Sequence, residues 1–259
     1  MLERLRKRIT ETQIWKSVFR HGYPDTRRNK ALVILSNIFL HLHPVQLRKS
    51  GLKLNYTWCM GGITTFLFIV ECATGILLMF YYRPTVEYAY HDIVYLREDV
   101  PLGIMREVHR WGAHAMIITV WLHMLRVFMT GAYKSPREFN WVIGVTLLVL
   151  TMLMSFTGYL LPWDQLSMWA VTVGTNMARA TPFLGHDGPW SSLLTLKDIQ
   201  LVHSGDDIRF ALLGGRSVGE SALLRFYVLH CAAIPVVVIV LMAVHFWRVR
   251  KDGGISGPL

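Results

Sequence analysis

The sequence predicts an all-α membrane protein, a bundle of four transmembrane helices with an N-terminal interfacial amphipathic helix. Three observations carry that fold class. Hydrophobic residues make up 53% of the 259-residue chain. Four apolar stretches are long enough to cross a hydrocarbon core of ~30 Å. The cationic residues gather at one set of ends of those stretches, as membrane insertion favours.

The elements follow in order. Residues 1–55 read as a basic N-terminal segment and residues 56–259 as the four-helix domain. Residues 1–53 hold 12 Lys/Arg against 3 Asp/Glu. The first 20 lack a cleavable apolar core, so no signal peptide is expected. Ala31–Leu42 (ALVILSNIFLHL) is too short to span and lies between basic runs, which suits a helix in the membrane interface. The spans are Thr57–Tyr82 (A), Arg106–Phe128 (B), Trp141–Leu161 (C) and Leu224–Arg248 (D). The connection between C and D, residues 162–223, carries Gly and Pro punctuation and room for one or two short surface helices. Four helices enclose little core of their own, so partner subunits are expected.

Charge sets the orientation. The net charge is +10, and the excess sits in residues 1–53, in the B–C connection (Arg126, Lys134, Arg137) and in the tail (Arg248, Arg250, Lys251). Both termini and the B–C connection are therefore expected on the cytoplasmic (n) side of the membrane or its equivalent. Because these basic segments flank spans, they do not read as a nucleic-acid surface. Cys59, Cys72 and Cys231 lie in or at the edge of spans without CxxC spacing, against a disulfide scaffold or a tetrahedral zinc site.

Four histidines carry the chemistry. His109 and His123 lie fourteen residues apart on span B; His230 and His245 lie fifteen apart on span D. Fourteen residues rise about 21 Å and fall about 40° short of four turns; fifteen overshoot by about 60°. Each helix can then present one imidazole near each membrane surface. Spans B and D are separated by one crossing and run parallel, so His109 faces His230 on the outer side and His123 faces His245 on the inner side. A lone histidine in a span is more often a packed core residue. Two matched pairs on parallel helices instead suit two haem b groups, each with both axial positions filled, a centre for electron transfer rather than oxygen activation.

Glycines share the period. Gly61 and Gly75 on span A, and Gly144 and Gly158 on span C, are also fourteen apart. Alone they would be small-residue helix packing; beside the histidines they read as clearance for a flat macrocycle at each station. Arg106 and Arg110 bracket His109, and Arg126 follows His123 by three residues, so their guanidinium groups can pair with haem propionates.

At this point HRWGAHAMIITVWLHMLRVF (109–128), GYLLPWDQ (158–165), LRFYVLH (224–230) and RKDGGISGPL (250–259) resemble cytochrome b of quinol:cytochrome c oxidoreductases. The resemblance runs from about Tyr56 to Leu259. It points to the short b6 type: the span D spacing is fifteen, the chain stops just after that span, and Ala170 stands where longer relatives carry Gly. The b6 type also implies that Cys59, in WCMGGIT, holds a covalent c-type haem through one thioether near an inner quinone site. Without the resemblance, an inert buried thiol would be the ordinary reading.

The resemblance implies an electron-transfer subunit of a proton-translocating quinol reductase (b6f or bc type), with electrons passing between outer quinol-oxidation and inner quinone-reduction sites. It implies that Pro162, Trp163 and Asp164, with Phe156, Met168 and Trp169, wall an outer quinol pocket, and that Arg250 serves the inner quinone. It further implies a subunit-IV-like partner with a PEWY-type loop, a Rieske iron–sulfur protein, a c-type cytochrome and a dimeric complex. Two departures from the family stand out. Glu71 occupies a mid-span position where relatives usually carry Gln, and the N-terminal 55 residues are longer and more basic. His114 lies off the ligand period and reads as a satisfied packing residue. A competing class is the di-haem quinone-reactive anchor of another respiratory dehydrogenase or reductase, but such anchors lack PWDQ and the paired glycine period; a transporter without redox centres is a third reading.

Overall fold

The computed structural model describes residues 4, 8–12, 26–36, 58–99, 103–196, 199–203 and 205–252. Its main helices are α1 (Arg27–Ser36), α2 (Met60–Met79), α3 (Ala89–Glu98), α4 (Gly103–Met129), α5 (Glu138–Tyr159), α6 (Gln165–Ala178), α7 (Ile208–Leu213), α8 (Glu220–Val228) and α9 (Ile234–Lys251). A π-helical turn, Leu229–Ala233, joins α8 to α9. Two-residue strands, Thr195–Leu196 (β1) and Ile199–Gln200 (β2), pair antiparallel with Thr195 opposite Gln200.

Among the described residues, four segments are long and apolar enough to cross a membrane: α2, α4, α5 and the run Glu220–Lys251. They match spans A to D, with ends displaced by up to four residues. The helix expected at Ala31–Leu42 begins earlier, at Arg27, and residues 37–42 lie outside the described residues. α1 keeps Arg27, Arg28 and Lys30 exposed ahead of Leu32 and Leu35. The A–B connection holds α3, a helix the sequence reading did not include. The C–D connection holds α6 and α7, as expected, with the small hairpin between them.

In the bundle α2 packs along α4, and α9 along α5. α4 and the fourth span instead face each other across a gap bridged by imidazole rings. Between the two stations lies a small apolar core of Phe68, Met116, Ile234 and Val238. The largest core sits at the end of the bundle beside His109 and His230, here the outer end. There Tyr82, Leu160, Trp163, Val171, Leu213, Leu223 and Phe226 are buried together. Outward faces stay apolar, with Phe66, Ile118, Val142 and Val236 about 60% exposed, as befits helices that meet lipid or partner subunits rather than water.

Polar links among the described residues help hold the outer end. Tyr82 donates its hydroxyl to the Leu161 carbonyl at 2.6 Å, tying the end of α2 to the end of α5. Buried Asp92 on α3 accepts from the Arg83 backbone N–H (2.9 Å) and from its guanidinium Nε (3.0 Å) and Nη2 (2.6 Å). Hydrogen bonding from Arg83 holds the Asp92 carboxyl below its ordinary range despite burial. The α3 segment thus closes the outer end of the bundle through one charge-assisted clamp.

Candidate functional site

The histidines meet in the expected pairs. The His109 and His230 ring centres stand 6.1 Å apart with planes at 84°; those of His123 and His245 stand 6.4 Å apart at 80°. A metal–imidazole bond is ~2 Å, so two imidazoles sharing one metal axially place their ring centres a little over ~6 Å apart. Both separations leave room for one iron between the rings and are too wide for direct imidazole contact.

The unequal spacing on the fourth span has a structural answer. A rigid α-helix would turn His245 about 100° further than a fourteen-residue spacing does. The π-turn Leu229–Ala233 starts beside His230 and takes up one extra residue within the helix. Fifteen residues then serve as fourteen, and both rings share a face without either swinging inward. Pro235 follows immediately at the start of α9, where its missing N–H is least costly because the local ladder has already shifted.

Each period glycine lies against one of the rings. A Cβ on Gly61 would come within 3.2 Å of His123, and one on Gly75 within 3.2 Å of His109. On Gly158 it would come within 2.6 Å of His230; on Gly144 it would lie 3.7 Å from His245 and from Met124 Sδ. The sequence reading assigned this clearance to a macrocycle; the geometry adds that the glycines also seat the imidazoles themselves.

Polar partners are concentrated at the outer pair. His230 Nδ1 lies 3.0 Å from the Met154 carbonyl, which can only accept, so the ring carries its proton there and leaves Nε2 free as a ligand. Thr157 Oγ1 is 3.3 Å from the same nitrogen. His109 Nδ1 lies 2.9 Å from Thr74 Oγ1 and 3.1 Å from Glu71 Oε2. At the inner pair, His245 Nδ1 is buried near the Asn140 backbone but makes no good hydrogen bond among the described residues. These features fit a haem at each station: facing imidazoles at axial separation, free Nε2 atoms on the outer pair, and missing side chains where a ring must approach.

Other predicted residues take up varied places. Arg106 and Arg110 both pair with Glu107, at 2.9 Å and 2.6 Å. Arg126 lies over the Trp58 ring at 5.3 Å, beside Cys59. That cysteine is exposed at the inner end and caps α2 in the left-handed region, with φ of 52°; Gly61, two residues on, touches His123. Cys72 and Cys231 are half-buried. His114 is satisfied, as expected, through the Arg110 carbonyl at 2.6 Å. It sits exposed beside Trp111 rather than buried in packing.

The PWDQ segment forms a sharp corner. Trp163 is buried and left-handed, with φ of 53°. Asp164 caps α6 by accepting from the Ser167 N–H and hydroxyl, both at 2.8 Å. Trp163, Asp164, Gln165 and Leu166 line an open recess of 430 Å³ with Tyr90 of α3. Phe156 and Met168 pack behind it against the outer core, half-buried Pro162 leads into the corner and Trp169 is exposed. Arg250 lies at the opposite end, in the last turn of α9. Sequence reasoning missed Tyr90, because an aromatic on a short polar helix carries no signal of its own, and missed the capping role of Asp164.

Comparison with known proteins follows the same lines. Residues 45–253 match the family described as cytochrome b/b6/petB. Cytochrome b6 of Acaryochloris marina (strain MBIC 11017) is 42% identical over 206 residues, 79% of this chain and 86% of that one. Cytochrome b6 of Synechococcus sp. (strain WH7803) is 43% identical, covering 79% and 85% respectively. A solved structure titled hyperthermophilic respiratory Complex III superposes with a TM-score of 0.65 at 30% identity, over 78% of this chain. The chain spans about half the length of that matched chain, 49%.

Proposed function

The chain belongs to the cytochrome b/b6 family, and on that premise we propose that it carries electrons between an outer quinol-oxidation site and an inner quinone-reduction site through two bis-histidine haem stations. It is an integral membrane, electron-transfer subunit of a multisubunit quinol:cytochrome c or plastocyanin-type oxidoreductase. The observation that carries the detailed reading is the pair of facing imidazoles, 6.1 and 6.4 Å apart, on helices that leave a gap between them.

His109 and His230 hold the outer haem b, His123 and His245 the inner one. A haem bound this way supplies a one-electron centre closed to small ligands. The chain's own work is to hold each imidazole in place, keep water out and separate the stations by about 21 Å of helix rise. Gly61, Gly75, Gly144 and Gly158 keep the approaches open. Arg106, Arg110 and Arg126 neutralise propionates at the helix ends, Arg106 and Arg110 by giving up part of their pairing with Glu107. Pro162, Trp163 and Asp164 form one wall of the quinol pocket, with Phe156, Met168 and Trp169 around it; Tyr90 joins that wall. The opposite wall comes from a subunit-IV-like partner with a PEWY-type loop, and a Rieske iron–sulfur protein and a c-type cytochrome take electrons onward in a dimeric complex.

At the inner end Cys59 is the attachment point of a c-type haem, with Arg250 serving the quinone. Three features support this: Cys59 is the exposed thiol of the three, it lies two residues from the glycine that touches His123, and Arg126 sits over its neighbour Trp58. The termini and the basic α4–α5 loop face the n side, on the charge pattern alone.

A pyridine haemochrome spectrum of the purified complex, with a haem stain of the denatured subunits, tests this. Two b haems are expected, with covalent haem on the 29.8 kDa band that disappears in Cys59→Ala. Absence of b haem would overturn the electron-transfer stations. Two b haems without a stained band would remove the covalent haem alone.

A further inference from the structure

Glu71 is a carboxyl in the middle of a membrane span. It is 5% exposed, with Oε1 buried and unpartnered among the described residues. Such a group is costly in an apolar bundle and persists only where a partner or a task holds it. Its close partner is His109: Oε2 lies 3.1 Å from Nδ1. Space for it is built in, since Glu71 Oε1 occupies the position that a Cβ on Gly112 would need.

The neighbouring hydroxyl settles which way the hydrogen bond runs. Thr74 Oγ1 lies 2.7 Å from the Val70 carbonyl, which can only accept, so its hydrogen is committed there. Its oxygen must therefore accept from His109 Nδ1, 2.9 Å away. The imidazole proton is on Nδ1, shared between Thr74 and Glu71, and Nε2 keeps its lone pair. The opposing ring, His230, gives its Nδ1 proton to a neutral carbonyl. Neither inner imidazole has a carboxyl within ion-pair distance among the described residues.

We propose that Glu71 is a positioning residue that, through His109 Nδ1, orients the outer ligand and lowers the reduction potential of the outer haem relative to the inner one. This rests on the bis-histidine reading above. A hydrogen-bond acceptor behind a metal-bound imidazole fixes its tautomer and orientation and raises its basicity, and the more basic ligand favours the oxidised iron. Gly112 belongs to the same device, because any side chain there would displace the carboxyl.

The test is a redox titration of the b haems in the purified complex, wild type against Glu71→Gln and Glu71→Leu, with low-spin EPR of each haem. Partner groups behind metal-bound histidines are worth ten- to a hundredfold. For E71L, which removes the acceptor, the outer midpoint is expected to rise by about tenfold in the oxidised-to-reduced ratio, ~59 mV for one electron, and the g-values of that haem to move. The inner midpoint should stay in place and both haems remain at full occupancy. E71Q keeps an oxygen acceptor at the same reach and should stay close to wild type in outer potential and g-values. An E71L outer potential equal to wild type would overturn the proposal, as would an equal shift in both haems, which a loosened bundle produces. A wild-type complex with no b haem would overturn the station assignment itself.

Discussion

The outer and inner histidine pairs use the same residue types at almost the same spacing, yet they are held differently. At the outer pair both Nδ1 atoms are engaged, by Thr74 and Glu71 on α2 and by the Met154 carbonyl on α5. At the inner pair the His245 Nδ1 has no hydrogen-bond partner among the described residues, and the ring rests 3.7 Å from where a Gly144 side chain would begin. Hydrogen bonds therefore orient one station, whereas packing against Gly61 and Gly144 seats the other. Identical ligands can thus be given different environments by the helices behind them.

Glycine substitution is the strongest way to break the comparison. A Cβ on Gly158 would stand 2.6 Å from His230 Cε1, which forces the ring to move; one on Gly144 makes ordinary contact. Overpacking of this kind costs about 1–3 kcal/mol, enough to empty a site whose ligand is displaced. Gly158→Ala should lose the outer haem while Gly144→Ala keeps both, as read by haem content and redox titration. Loss of the inner haem in G144A as well would mean that macrocycle clearance, rather than imidazole seating, governs the inner glycine.

The clamp at the outer end gives a smaller effect. Asp92→Asn removes the charge from a buried group that accepts three hydrogen bonds from Arg83, and because the Arg83 side chain is exposed the loss is modest, a fall in Tm of about 2–4 °C. Thermal denaturation in detergent should show that loss with the inner haem spectrum intact until unfolding. The pH dependence has a definite sign. Because the folded Asp92 titrates below its ordinary 3.8, its contribution is present above pH 3.8 and disappears as pH falls through the lower folded value. Wild type and D92N should therefore converge in stability only in strongly acidic solution. Convergence near neutrality would show that the clamp does not depend on the Asp92 charge.

These contrasts also mark what was legible in the sequence. Span positions, the His109–His230 and His123–His245 pairing, and the paired glycines follow from hydrophobic length and helical period, which the bilayer enforces strongly. The α3 helix was missed because its ten residues, AYHDIVYLRE, are too few and too mixed to show a long apolar face. Asp164 reads as a motif residue, and only the backbone reveals it as the cap of α6. The Glu71–His109 contact joins residues 38 positions apart on different helices, so no spacing rule on one helix could register it.

The π-turn gives the last and smallest effect, and it is the most diagnostic for the fourth span. If Leu229–Ala233 stores one surplus residue, deleting Ala232 should return the segment to a regular α-helix without rotating either flank. His230 and His245 would then be fourteen apart, as His109 and His123 already are. Haem content should stay at two b per subunit, with optical spectra unchanged at both stations. A helix without such a turn has no slack: one residue removed from its middle turns everything beyond by about 100°. Loss of either haem in the Ala232 deletion would show that the ring positions depend on the π-turn itself, not merely on the surplus residue it absorbs.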